Sequence, residues 1–212
     1  MIAVASRRLE RNSTCALTFL VLSWAVPAFA GGGNVLPPTA RPHGYSLTDL
    51  ARITGVFNGA SPRDGVSPTE GTPFEMLYAR ANGDKVFHVD PGTTLYVPVA
   101  YSVGDGIDVD DKAAVANLYF SPEKYGADYI EIVVDGRVAS LIRFGYPVGA
   151  FLPLDGGGTL DYSTVAAFLS PLTPGTHKVT IRALFDGALL GGGTFEYSDT
   201  YTVVVDRPGR CR

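Results

Sequence analysis

From residue 74 to the end of the chain, apolar residues recur at every second position in short runs separated by turn-forming residues. This alternation is typical of β-strands with one buried face and one solvated face. Seven or so short strands with frequent turns favour an antiparallel sandwich over parallel strand-helix-strand units. The runs span residues 74–80, 85–89, 95–103, 129–134, 137–142, 162–169, 177–183 and 194–206.

Two turn signals predict how neighbouring runs connect. Asn82-Gly83 lies between the first two runs, and Asp135-Gly136 lies between the fourth and the fifth. The first pair accepts the positive φ that a tight type I′ turn requires and predicts a β-hairpin, and the second pair predicts another β-hairpin. Pro98 interrupts the third run. Because proline cannot donate a backbone hydrogen bond, that strand is expected to lie at an edge or to carry a bulge.

Ahead of these runs the apolar positions follow a helical period. Leu47, Leu50, Ile53 and Val56 or Phe57 recur at helical spacing and predict one amphipathic helix over residues 47–57. The expected fold is therefore mainly β: an antiparallel β-sandwich, either immunoglobulin-like or jelly-roll, with one N-terminal amphipathic helix.

Both ends of this helix carry a sequence signal. Ser46, with Asp49 three residues later, resembles a capping box, and Asn58-Gly59 suits the end of a helix.

Four loops are expected to form the contact surface of the sandwich, because loops on a rigid scaffold often carry function. They are residues 59–73, 104–111, 144–158 and 186–193.

One part of the chain resembles a known family of modules. Leu172-Thr-Pro-Gly-Thr-His-Lys-Val-Thr-Ile-Arg-Ala183, followed by Tyr201-Thr-Val-Val-Val205, resembles the closing strand pair of bacterial extracellular immunoglobulin-like sandwich modules. The similarity covers about 35 residues, and the chain lacks the Cys…Trp…Cys core of true immunoglobulin domains. It implies a fold class. Modules of this kind serve in adhesion, sugar binding, spacing and enzymes, so it implies no single function.

The first thirty residues have the pattern of an export signal. Arg7, Arg8 and Arg11 precede an apolar run over residues 15–26, and Ala28-Phe29-Ala30 forms a small-residue cleavage site. A run of this length is too short to span a bilayer, which needs about twenty residues. The sequence therefore predicts a secreted or periplasmic protein that is cleaved after Ala30 and has no membrane span.

Together with this cleavage site, the sequence predicts four segments. Residues 1–30 form the signal peptide, residues 31–45 an extended leader, residues 46–206 the sandwich domain with its helix, and residues 207–212 a C-terminal tail.

Charge and cysteine content narrow the possible partners. Three of the 17 basic residues and one of the 21 acidic residues lie in the signal, which leaves 14 basic against 20 acidic residues. Without a basic cluster, neither nucleic acid nor an anionic membrane is an expected partner. Cys15 leaves with the signal, so Cys211 has no intramolecular partner. A monomer is expected, with a disulfide-linked dimer through Cys211 as the alternative.

No catalytic signature is present in the sequence. His43, His88 and His177 are the three histidines, and none lies in a hydrolase or zinc-binding motif. Glu131 and Asp135 share one face of a strand but would lie about 13 Å apart, since each residue advances about 3.3 Å. That distance exceeds the separation of a glycosidase pair. No catalytic residue is therefore predicted.

Four carboxylates in a glycine-bearing loop form the one candidate metal site. Asp105, Asp108, Asp110 and Asp111 could contribute oxygen ligands to Ca²⁺, although their spacing does not fit an EF-hand. Alternatively, Asp110 and Asp111 cap a short helix that begins near Lys112. No other cofactor is predicted.

Tyrosines give the remaining indication of function. Tyr96 is expected on the polar face of its strand, and Tyr129 shares a face with Glu131. Exposed tyrosine beside a carboxylate is suited to binding a sugar or a peptide. The prediction is a secreted non-catalytic binding or interaction module, with an unknown extracellular protein or glycan as partner. The alternatives are a small secreted carbohydrate-active or other hydrolase, and a structural component of the cell envelope.

Overall fold

The computed structural model describes residues 33–59, 67–78, 83–154 and 157–207. The described part is mainly β, with two sheets in a sandwich-like arrangement and two α-helices. The predicted signal peptide, its cleavage site at Ala30, and Cys211 lie outside the described residues. The strands are β1 (Phe74–Met76), β2 (Val86–Val89), β3 (Thr94–Val103), β4 (Ala127–Val134), β5 (Arg137–Ser140), β6 (Pro147–Pro153), β7 (Thr159–Leu169), β8 (Gly175–Phe185) and β9 (Phe195–Val205). The α-helices are α1 (Leu47–Gly59) and α2 (Lys112–Phe120).

The two sheets have four and five strands. The order is β1-β3-β7-β6 in the first sheet and β2-β9-β8-β4-β5 in the second. Most neighbours are antiparallel, as predicted, but β1 runs parallel to β3 and β2 runs parallel to β9. Each sheet thus carries one parallel edge strand, which alternation within a single strand cannot reveal.

The first predicted hairpin is wrong. β1 pairs with β3 in the first sheet, whereas β2 pairs with β9 in the second, so the two runs that flank Asn82-Gly83 lie in different sheets. Asn82 itself lies outside the described residues. The turn signal describes only local backbone preference, whereas the partners of β1 and β2 are decided by burial against distant strands.

The second predicted hairpin is confirmed. β4 and β5 pair antiparallel up to Val134 opposite Arg137, which leaves Asp135-Gly136 as a two-residue loop. Asp135 has φ +49° and Gly136 has φ +82°, as a type I′ turn requires. Here the turn residues and the adjacent strands lie within one local unit, so sequence alone was sufficient.

The predicted loop 144–158 contains an edge strand instead. β6 pairs with β7 from Pro147 opposite Val165 to Pro153 opposite Thr159. Its two prolines lie at the strand ends, where edge strands tolerate them. Gly149 is needed for packing, because a Cβ there would lie 2.6 Å from the Val109 Cβ. Glycine and proline in this segment therefore reflect edge position and close approach.

Helix α1 covers the outer face of the first sheet, against β6, β7 and β3. Leu50, Ala51 and Thr54 are buried, whereas Ile53 and Val56 are exposed. The buried face therefore keeps Leu47, Leu50 and Phe57 of the predicted stripe but not Ile53. Thr54 donates to the Leu50 carbonyl at 2.8 Å.

The capping box at the start of α1 is confirmed. The Asp49 backbone donates to Ser46 Oγ at 3.2 Å, and the Ser46 backbone donates to Asp49 Oδ2 at 2.8 Å. The Ser46 side-chain and backbone hydrogen bonds hold the pKa of Asp49 below its ordinary value. This reciprocal bonding satisfies donors that the helix cannot pair internally.

The chain ahead of α1 is also bound to the first sheet. Val35 forms an antiparallel bridge with Leu169, and the Leu36 backbone donates to the Phe168 carbonyl at 2.8 Å. A short 3-10 helix follows at Pro42–Gly44. Within the described residues, no helix is both long and apolar enough to cross a membrane.

Candidate binding cleft

The two parallel edge strands stop short, and this opens one side of the sandwich. β1 covers the edge of β3 only along residues 94–96, and β2 covers the edge of β9 only along residues 202–205. Past these points, neither edge pairs with another strand among the described residues. A cleft of about 680 Å³ lies here, walled by both strands. Ligand sites for small molecules typically have volumes of about 300–1,000 Å³.

The wall of the cleft is aromatic and aliphatic and carries no formally charged side chain. Both sheets, both helices and the connecting segments contribute to it. The wall consists of Phe57, Met76, Leu77, Tyr78, Pro98, Val99, Ala100, Tyr101, Tyr119, Tyr125, Ile181, Phe185, Leu190, Phe195, Tyr197 and Tyr201.

A bulge in β3 shapes the first wall. The register with β7 shifts between Pro98 and Ala100, which confirms the irregularity predicted at the proline. Four consecutive residues, from Pro98 to Tyr101, consequently line the cleft, whereas a regular strand would present only alternate ones. Ala100 contributes the smallest side chain of these four. Its carbonyl accepts a hydrogen bond from the Thr164 hydroxyl at 2.7 Å, which anchors the bulge to β7.

Strand β9 supplies the opposite wall with an aromatic side chain at almost every second position. Phe195, Tyr197 and Tyr201 face the cleft. Tyr201 is buried and meets Phe87 edge-on at 5.8 Å. Burial, followed by the negative charge of Asp199, raises the pKa of Tyr201 to about 12. This hydroxyl therefore stays protonated and uncharged at physiological pH.

Tyr197 carries an unsatisfied hydroxyl in this wall. Its oxygen is buried, and it has no hydrogen-bond partner among the described residues. Burial first, then the neighbouring Tyr201 and the charge of Asp199, raise the pKa of Tyr197 well above its ordinary value. The group is thus a neutral phenol that can donate or accept one hydrogen bond. Leaving it unpaired costs about 1–3 kcal/mol.

Polar contacts surround the cleft at two places. Tyr125 donates to Asp105 Oδ1 at 3.1 Å and shares a hydrogen bond with the Ser102 hydroxyl at 2.9 Å. On the other wall, Lys85 forms an ion pair with Asp199, the residue between Tyr197 and Tyr201 on the same face of β9. Charges near the cleft are therefore already engaged with protein groups.

Tyr96 is not on an exposed face, contrary to the prediction. Its side chain is fully buried and packs against Phe168, with ring centroids 5.9 Å apart. The prediction assumed that the outer face of β3 meets solvent, whereas α1 covers the outer face of this sheet. Tyr96 is therefore a core residue of the first sheet.

Tyr129 and Glu131 lie together, as predicted, on the outer face of the second sheet. Arg182 faces Glu131 across the strands and donates to its carboxylate from Nε at 2.7 Å and Nη2 at 2.6 Å. The Arg182 guanidinium also lies 5.7 Å from the Tyr129 ring centroid, and the Tyr129 hydroxyl donates to Glu196 at 2.5 Å. These polar groups satisfy one another, and none of them lines the cleft.

Three of the four aspartates of the predicted calcium site, Asp105, Asp108 and Asp111, accept hydrogen bonds from separate donors, and Asp110 contributes its backbone N–H to Asp108. Asp111 accepts from the Ala113 backbone at 2.8 Å and caps α2, which matches the alternative interpretation. Asp108 accepts from the Asp110 backbone at 3.0 Å, and Asp105 accepts from Tyr125. Among the described residues, no three metal-ligating side chains form a group suited to an ion. The geometry gives the calcium prediction no support.

His177 forms a structural pair with the β4–β5 turn. Its Nδ1 lies 2.7 Å from Asp135 Oδ2, and its Nε2 lies 2.7 Å from the Thr173 carbonyl oxygen. With both ring nitrogens engaged, this imidazole is not available as a general base.

Apart from Leu190, in the predicted contact loop 186–193, the cleft residues were not predicted from the sequence. A detectable signal was the spacing of Phe195, Tyr197 and Tyr201, which places three aromatic rings on one face of the last strand. Ala100 had no comparable signal, because its role depends on the bulge and on the missing neighbour strand.

Comparisons with known proteins leave the family open. No protein-family model and no curated protein matches the chain. Among solved structures, the solution structure of amebosin matches with 10% identity over 62% of this chain and 97% of that chain. The TM-score is 0.28, a value that carries no argument about fold or function.

Proposed function

We propose that this protein is a secreted, non-catalytic binding module whose ligand site is the aromatic cleft between β3 and β9. The observation that carries the proposal is the open cleft of about 680 Å³, in a part of the sandwich where a core would normally be closed. An apolar wall of this size that remains open is typical of a ligand site.

The side chains around the cleft favour binding over catalysis. Its wall consists of rings, aliphatic side chains and phenols that are protonated at neutral pH. Acid–base or nucleophilic chemistry needs a group that ionises or attacks near neutral pH. The three histidines lie elsewhere, and His177 is held by Asp135 and the Thr173 carbonyl.

The resemblance of residues 172–205 to extracellular immunoglobulin-like modules agrees with this proposal. These residues include β8 and β9, which form the second wall of the cleft. The apolar signal-like segment at the start of the sequence supports export. Both arguments rest on the sequence alone.

A cleft-filling substitution tests the proposal. The uncharged dye Nile red serves as a probe, because its fluorescence reports transfer into an apolar environment. We expect saturable binding of one dye molecule by the wild type and loss of at least ~10-fold in affinity in Ala100→Phe, whose added ring occupies the cleft. Ala113→Phe is the matched control, because it introduces the same substitution at an exposed position on α2.

Two outcomes would refute the proposal. One is the absence of saturable dye binding by the folded wild type. The other is equal affinity in wild type and Ala100→Phe, with both proteins unfolding cooperatively, since this would place the bound dye outside the cleft.

A further inference from the structure

The cleft differs in charge from the outer face of the second sheet. Its sixteen lining residues include no Asp, Glu, Lys, Arg or His. Transfer of an ionised group into such a wall is strongly unfavourable unless a partner charge compensates it. The lining therefore selects strongly against a charged group within the cleft.

The nearest charges strengthen this selection against anions. Lys85, beside the β9 wall, is already paired with Asp199, so it does not compensate an anion. At the other end, Asp105 accepts the hydrogen bond of Tyr125. Burial is the main cause of the raised pKa values of Tyr201 and Tyr125, and the negative charges of Asp199 and Asp105 raise them further. An anionic ligand would meet the same repulsion.

Tyr197 adds a specific polar contact to this apolar wall. Its hydroxyl is the buried group in the cleft that has no partner among the described residues. Its ring forms part of the wall, whereas its oxygen is buried, so the side chain must move for the hydroxyl to contact a ligand atom. A ligand oxygen placed there would remove the cost of the unpaired group.

We infer that the ligand is an uncharged, largely apolar small molecule with a flat ring system and one hydrogen-bonding oxygen, and that Tyr197 recognises this oxygen. A flat, apolar ring system fits this wall because aromatic side chains pack efficiently against the faces and edges of other rings. This inference rests on the proposed function, since it specifies the chemistry of the same cleft.

A matched set of four naphthalene probes tests the inference by displacement of Nile red at pH 7. The probes are naphthalene, 2-naphthol, 2-naphthoate and 2-naphthylmethylammonium, which share a ring system and differ in polarity and charge. We expect 2-naphthol to bind most tightly and naphthalene roughly five-fold more weakly, as expected for one net buried hydrogen bond. The two ions should bind at least ~10-fold more weakly than 2-naphthol.

Tyr197→Phe separates the hydrogen bond from the apolar contact. The variant should bind naphthalene as the wild type does, while its affinity for 2-naphthol falls to the level of naphthalene. Tyr129→Phe is the matched control on the outer face and should leave all four affinities unchanged. Urea unfolding of both variants checks that they are folded. Tyr197→Phe should be at least as stable as the wild type, because it removes an unpaired buried hydroxyl.

The outcomes separate this inference from the proposed function. Tightest binding of either ion, or an equal loss of both neutral probes in Tyr197→Phe, would overturn the inference while the cleft remained a binding site. Failure of Nile red to bind the folded wild type would overturn the proposed function, and the inference with it.

Discussion

At the scale of single residues, the neighbours of a side chain decide its role more than its chemical type does. Tyr96, Tyr129 and Tyr197 are chemically identical, yet one is enclosed beneath α1, one belongs to an outer network and one lies in the cleft wall. The sequence correctly predicted that Tyr129 and Glu131 lie on the same face, because both residues belong to one strand. It could not predict the burial of Tyr96, because α1 lies about 40 residues earlier in the chain.

The pair of His177 and Asp135 predicts a pH-dependent contribution to stability. Burial alone would lower the pKa of His177, but hydrogen bonds to Asp135 and the Thr173 carbonyl outweigh it and raise the pKa above 6.5. A raised pKa means that the contribution is fully present below the unfolded value near pH 6.5. It is lost as the pH rises through the folded value.

The pKa of Asp135 shifts in the opposite direction. The hydrogen bond from His177, followed by the one from the Lys178 backbone, lowers the pKa of Asp135 from 3.8. Its contribution is therefore present above about pH 3.8 and is lost on acidification. Together the two shifts place the full stabilisation between about pH 4 and pH 6.5.

His177→Gln tests this window. We expect the free energy of unfolding of the variant to fall below that of the wild type by more at about pH 5.5 than at about pH 8.5. Urea unfolding at both pH values gives the two differences. His88→Gln, at an exposed position on β2, is the control. A His177→Gln difference that stays constant with pH would show that the ionised pair does not stabilise the fold.

At the scale of elements, the features that depend on residues close together in the chain were predicted from the sequence. The β4–β5 hairpin and the capping box of α1 each depend on residues that are close in sequence, and both are present. The parallel edge strands β1 and β2 were not predictable, because their partners lie 20 and about 116 residues away. Strand β6 was not predicted because glycine and proline are typical of loops. In the structure, Gly149 is needed instead for its close approach to Val109.

A close backbone approach supports one end of the cleft. The Gly187 backbone donates to the Tyr125 carbonyl at 2.8 Å, and the Asp186 backbone donates to the Gly126 carbonyl at 3.0 Å. A Cβ on Gly187 would lie only 2.2 Å from the Lys124 carbonyl oxygen. This contact positions Tyr125, so the 186–193 segment supports the cleft through its backbone.

Gly187→Ala should therefore destabilise the protein by about 2 kcal/mol or more, because backbone must move to admit the methyl group. Gly193→Ala is the matched control in the same segment, since its new Cβ would meet nothing closer than 3.4 Å. It should change the free energy of unfolding by no more than about 0.5 kcal/mol. Chemical denaturation measures both. Equal stability of the two variants would contradict the tight packing of this segment.

At the scale of the whole molecule, the open side of the sandwich forms the cleft that we propose as the ligand site. β1 and β2 each end before the strand that they border, and the aromatic rings of β3 and β9 line the space between. The sequence predicted the sandwich from its alternation but not the cleft, because strand order and strand length at an edge depend on contacts between distant segments. Of the four predicted contact loops, 186–193 contributes Leu190 to the cleft, and the described residues of 59–73, 104–111 and 144–158 contribute none.

The most direct test of this account is the position of a bound neutral probe, measured by nuclear magnetic resonance. 2-Naphthol would be titrated into the isotope-labelled protein, and backbone and tyrosine-ring shifts would be followed. We expect the largest changes at Ala100, Tyr101 and Tyr197, with Tyr129 and Glu131 unchanged. Changes concentrated at Tyr129 and Glu131, or no saturable change at the cleft residues, would contradict the central claim that the protein binds its ligand between β3 and β9.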